Sequence, residues 1–116
     1  MTGPYAAGLE RLTRQAGVRG ALLVEREDGL VVAEALMDGL DGAAFAALAA
    51  SLWSRLARAG AAAGRGAPGF AQLEAERGTM LAVPAGEELL LVAVAEPDAN
   101  LGLARLELIR AAGELA

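Results

Sequence analysis

The carboxylates that could do chemistry fall in three short stretches: Glu25, Glu27 and Asp28; Glu74 and Glu76; and the pair Glu87-Glu88. Grouped carboxylates can share general acid–base work or hold a hard cation through oxygen. Each set here has a simpler setting. Glu25, Glu27 and Asp28 surround an Asp28-Gly29 turn, Glu74 and Glu76 alternate along an edge-type strand, and Glu87-Glu88 close a Pro84-Ala85-Gly86 link. None shows the DxDxDG spacing of a calcium loop. The chain has no His, Cys or Lys, and therefore no imidazole base, thiol nucleophile, Schiff-base amine or soft metal ligand. Its two serines, Ser51 and Ser54, lie in one helical stretch with no base to activate them. Gly64-Arg65-Gly66-Ala67-Pro68-Gly69 is glycine-rich, but no strand precedes it and GxxxxGK[ST] is absent. It reads as a linker and not a phosphate cradle. No catalytic, metal or cofactor-binding residue is assigned, and the chain is expected not to be an enzyme.

Composition narrows the remaining classes. The chain of 116 residues fits a single domain, 1–116, and carries a net charge of −5. Hydrophobic residues make up 55%, largely Ala, so the core is expected to consist of small aliphatics. No uninterrupted apolar run reaches about 18 residues, so no membrane span is expected. The N-terminal stretch lacks the basic and apolar blocks of a secretory signal, which with the absence of Cys fits a cytoplasmic protein. Negative net charge and scattered Arg positions argue against nucleic acid as a partner. The scarcity of Asn, Gln and Cys suits a thermophile.

The element that organises the chain is a long helix from Asp41 to Ala63, with Asp41 as its N-cap. Steps of about 100° put Phe45, Leu48, Leu52 and Leu56 on one stripe, expected to face the core. A broad small-residue face holds Ala43, Ala46, Ala47, Ala50, Ser54, Ala57, Gly60 and Ala61, with Trp53 on its border. Small side chains let a second backbone come close, so this face is expected to be the helix–helix contact of a homodimer. Ser51, Arg55 and Arg58 occupy the third side.

Around it, Pro4 to Ala16 reads as a first helix with Leu9 and Leu12 inward and Gly17 as the stop. Val18–Glu25 and Leu30–Ala35 flank Asp28-Gly29, a hairpin signal for a type I′ turn. Phe70 to Arg77 alternates, with Ala71, Leu73 and Ala75 on one side, as an edge strand would. Leu73 and Ala75 are expected to join a partner's equivalent strand. Thr79–Val83 and Leu89–Ala95 follow, the latter central because it is apolar throughout. Asn100 caps a last helix, Leu101–Leu115, in which Arg110 and Glu114 can pair and Arg105 snorkels along the sheet edge. The expected fold is α+β: order α-β-β-α-β-β-β-α, a meander of five antiparallel strands with helices on both faces.

Three stretches carry a family resemblance: Gly17-Val18-Arg19-Gly20-Ala21-Leu22-Leu23-Val24 with the Glu27-Asp28-Gly29-Leu30-Val31 hairpin; the long helix; and Pro97-Asp98-Ala99-Asn100-Leu101-Gly102-Leu103-Ala104-Arg105. In these the chain resembles the Roadblock/dynein light-chain family, within it the bacterial MglB-like proteins. The resemblance implies a roadblock (profilin-like) domain that pairs through the second helix and third strand into one sheet across two subunits. It also implies a Ras-like small GTPase of the MglA type as partner, which some bacterial members regulate as GTPase activators. The expected function is a non-enzymatic homodimeric regulator of such a GTPase; the alternative is a structural adaptor without effect on hydrolysis. The resemblance supplies no catalytic residue, so Ser51, Arg55 and Arg58 are named for the GTPase contact by surface position alone.

Overall fold

Aliphatic runs punctuated by glycine and polar turns divide the chain into three helices and five strands. The computed structural model describes residues 3–115. In chain order they are α1 (Ala6–Thr13), β1 (Val18–Glu25), β2 (Val31–Leu36), α2 (Gly42–Ala62), β3 (Ala71–Ala75), β4 (Gly78–Ala85), β5 (Leu89–Ala95) and α3 (Leu101–Leu115). This is the expected element order.

The strands form one antiparallel sheet, ordered β2-β1-β5-β4-β3 in space. It is not the simple meander expected. The β1–β2 hairpin and the β3–β4–β5 meander are joined by β1 pairing with β5, and α2 crosses from one sheet edge to the other. Hydrophobicity explains the order. β1, β4 and β5 are buried along nearly their whole length and take the three inner positions, while β2 alternates between half-buried and exposed residues, β3 is exposed throughout after Ala71, and these two take the edges. The β1–β2 ladder also shifts register between Leu23 and Val24.

Alternation along the inner strands builds two cores. Ala21, Leu23, Leu81, Val83, Leu91 and Ala93 meet Leu9 and Leu12 of α1 and Leu108, Ala111 and Ala112 of α3. On the other face Leu22, Val24, Met80, Ala82, Leu90, Val92 and Val94 meet Ala46, Ala49 and Trp53 of α2. Leu22, Leu23, Leu90 and Leu91 are fully buried, and each such side chain contributes about 1.5–3 kcal/mol.

Local chemistry sets the boundaries. Asp41 Oδ1 accepts the Ala44 N–H at 3.1 Å and Asn100 Oδ1 accepts the Leu103 N–H at 3.0 Å, so both long helices start on side-chain caps. The first helix is shorter than expected, ending at Thr13. The Arg14 and Gln15 N–H groups bond back to Arg11 and Leu12 carbonyls, tightening the chain into the turn before β1. β4 runs through Pro84 to Ala85, which the sequence placed in the turn. β3 pairs with β4 no further than Ala82, so Pro84 sits where β4 has a free side.

The β1–β2 connection differs from a type I′ turn. Only Gly29 has positive φ, at +70°, and no other residue type in the described chain does. Its N–H donates to Glu25 O at 2.9 Å, and the Glu25 N–H donates to Leu30 O at 2.8 Å. The longer loop is held from outside. The Arg26 N–H donates to Glu88 O at 2.8 Å, and its guanidinium donates to Gly86 O at 2.9 Å and Leu89 O at 3.4 Å. The two hairpin turns at this end of the sheet are therefore one unit.

Candidate functional site

The three sides of α2 decide what surface the molecule offers. Ala46, Ala49, Ala50 and Trp53, with Gly42, are buried against the chain's own sheet; Ala46 is 0% exposed, Trp53 4% and Ala50 8%. This corrects the expectation for Ala46, Ala50 and Trp53, which pack against the chain's own sheet where a partner's helix was expected. Small side chains do allow close approach, but the backbone approached belongs to the same chain. A methyl group added at Gly29 would lie 3.3 Å from Ala50 Cβ and 3.5 Å from Ala46 O. Ala43, Ala47, Ser54 and Ala61 are exposed and Ala57 is half-buried. Ala47 borders the β1–β2 turn, and Ser54 and Ala57 line a cleft beside it, so this flank faces away from β3.

The stripe expected to face the core is instead the uncovered one. Leu48 is 42% and Leu56 36% exposed, and Phe45 and Leu52 are half-buried at the margin of the α2-side core. Phe45 and Leu48 line an apolar groove of about 170 Å³ whose other wall is Leu73, Ala75 and Met80. α2 packs over β2, β1 and β5, which leaves that groove open toward β3. Among the described residues β3 pairs only with β4, so its outer edge carries free backbone donors and acceptors, and Leu73 is 37% exposed beside it. The structure thus brings Leu73 and Ala75 together with the leucine stripe, not with the alanine face. Sequence reasoning missed Leu48 and Leu56 as surface residues. The available signal was that a helix with two apolar stripes must have two contacts.

Ser51, Arg55 and Arg58 are all exposed on the outward side of α2. Among the described residues neither arginine makes an ion pair.

At the C-terminal half of α2 lies a cleft of about 640 Å³ between the helix and the joined hairpin turns. Glu25, Glu27, Glu87 and Glu88 line the turn side, Ser54 and Arg58 the helix side, with Trp53 between them. The Arg26 guanidinium stands 5.9 Å from the centre of the Trp53 ring. The Glu25 carboxyl is held above the ordinary carboxylate range, first by its hydrogen bond with Asp28, then by burial and by repulsion from Asp28, Glu88 and Glu27. Among the described residues no group of three or more His, Cys, Asp or Glu could hold a metal ion. Glu25, Glu27, Glu87 and Glu88 make the turn side acidic, opposite Arg58 on the helix side.

On the opposite face, Arg105 lies at the sheet edge as expected, its guanidinium 4.4 Å from the centre of the Phe70 ring. Glu114 does not pair with Arg110: Arg11 reaches it from α1 at 3.1 Å, and Arg110 sits 3.8 Å from Glu107. Among the described residues no helix is long and apolar enough to cross a membrane.

Known proteins share this architecture. The family model for the Roadblock/LC7 domain matches residues 7–95. The Methanocaldococcus jannaschii protein MJ0310 is 34% identical over 107 residues, covering 92% of this chain and 92% of that protein. A solved structure of MglB with tetrameric arrangement superposes with a TM-score of 0.87 at 29% identity, covering 100% of this chain and 90% of the other. The gliding protein MglB of Thermus thermophilus superposes with a TM-score of 0.86 at 27% identity, covering 100% and 91%. The structural matches include α3, which lies beyond the family model.

Proposed function

The chain belongs to the Roadblock/LC7 domain family, and from that premise we propose that it is a non-enzymatic homodimer that regulates a Ras-like small GTPase of the MglA type. The observation that carries this reading is the open apolar groove running from Phe45 and Leu48 to Leu73 and Ala75 beside the free edge of β3. Two copies joined along β3 extend the sheet, close the groove with each other's leucine stripe, and lay two α2 helices side by side. Burial of Leu48, Leu56 and Leu73 on both copies removes apolar surface from water at about 25 cal/mol per Å².

In that dimer Ser51, Arg55 and Arg58 of both copies share one outward face, on which the GTPase docks through its switch regions. The dimer biases the conformation of those regions and contributes no general base. An arginine finger must reach the nucleotide to stabilise transition-state charge. Arg55 and Arg58 project from a regular helix, where reach is short, so their part is docking.

The test pairs sedimentation with nucleotide-state binding. The protein is expected to sediment as a dimer and to retain the GTP-loaded GTPase over the GDP-loaded form. A monomer at micromolar concentration overturns the dimer, and equal retention of both nucleotide states overturns regulation and leaves an adaptor.

A further inference from the structure

All fifteen acidic residues lie outside the stretch from Gly42 to Leu73, whose only charges are Arg55, Arg58 and Arg65. In a protein of net charge −5 this is a sharp local reversal of sign. The three arginines are exposed, and none makes an ion pair among the described residues. The opposite sign is close by: Arg58 stands on one wall of the 640 Å³ cleft, and Glu25, Glu27, Glu87 and Glu88 on the other.

We propose that the outward face of α2 docks a folded protein partner whose contact surface is rich in carboxylates; this rests on the regulator reading for the partner's identity and specifies its chemistry. Three physical arguments support it. A guanidinium covered by an interface must be paired; α2 offers no acid of its own and neither of its arginines is paired with the cleft's glutamates, so a partner's carboxylate is the complement that covers them. Arg presents a planar fork that fits a carboxylate through two parallel hydrogen bonds. An acidic partner is repelled by the net negative charge of this molecule, the glutamate wall of the cleft included, and is steered to the acid-free face of α2. A nucleic acid backbone fits less well, because its evenly spaced phosphates would meet Glu87 and Glu88 as soon as they passed Arg58.

Two probes test the proposal. Poly-glutamate peptide at about 0.01 M salt, where the screening length is about 30 Å, is expected to shift the backbone amides from Ser51 to Arg58 and that of Arg65 in NMR spectra. The shifts are expected to vanish near 1 M, where that length is about 3 Å. The second probe is a GTP-loaded GTPase of the MglA type. Its association is expected to slow at least ~10-fold over the same salt range and in Arg55→Glu/Arg58→Glu, and to quicken in Glu87→Lys/Glu88→Lys. Unshifted α2 amides overturn the proposal. So does a GTPase that binds regardless of salt and of both arginine substitutions, although the regulator reading then stands. Duplex DNA shifting the same amides in place of the peptide also overturns it. Peptide shifts on α2 and salt-sensitive docking of some acidic protein, with no GTPase bound, uphold the proposal and remove the regulator reading instead.

Discussion

Glu25 keeps its proton to higher pH in the folded chain than an ordinary carboxylate does, chiefly through its hydrogen bond with Asp28. The unfolded chain releases that proton near the ordinary value of 4.5. The contribution to stability is therefore complete below that value and is lost as pH rises through the folded one. Glu25→Gln supplies a permanent donor to Asp28 and carries no charge. The melting temperature of the variant is expected to exceed that of the wild type above this window and to lose the decline across it, as thermal melts from about pH 4 to 7 would show. At this scale the sequence is legible where chemistry is local. Asp41 and Asn100 announce themselves as caps because the N–H each satisfies lies three residues away. The Asp28-Gly29 turn is misread because its shape is set by Arg26 reaching Gly86 and Leu89, some sixty residues on, which no local pattern records.

Among the elements, α2 shows what hydropathy can and cannot say. The helix, its length and its cap are all plain in the residues from Asp41 to Ala62, and so are β1, β5 and α3. The facing of α2 is not plain, because its alanine and leucine stripes lie ~100° apart and both count as apolar. Side-chain size separates them. Alanine seats the helix backbone close against its own sheet, and leucine spans the wider gap at the helix flank. Two substitutions distinguish the stripes. Ala46→Glu buries an unpaired charge in the core and is expected to cost several kcal/mol, about 3 or more, or to prevent folding. Leu48→Glu places its charge at the groove. It is expected to leave the circular dichroism spectrum intact while sedimentation shows a monomer. A Leu48→Glu protein that remains dimeric would move the seam elsewhere.

For the whole molecule, dimerisation should appear in the thermodynamics even without a structure of the complex. A dimer that unfolds to separate chains is stabilised by mass action, by about 2.7 kcal/mol for a hundred-fold rise in concentration. The melting temperature is expected to climb roughly 5–10 °C over that range and to stay fixed in Leu48→Glu. Sheet order has a related consequence. A sheet open at both edges is formally a bifunctional monomer, able to polymerise by adding strands at each end. The β3 end is short, regular and flanked by leucine, and a two-fold pairing there uses up both copies' β3 edges at once. The β2 end is a poor template, since its ladder slips register between Leu23 and Val24 and Glu34 stands exposed along it. With one end able to couple and the other blunted, the proposed pairing is expected to close after a single coupling.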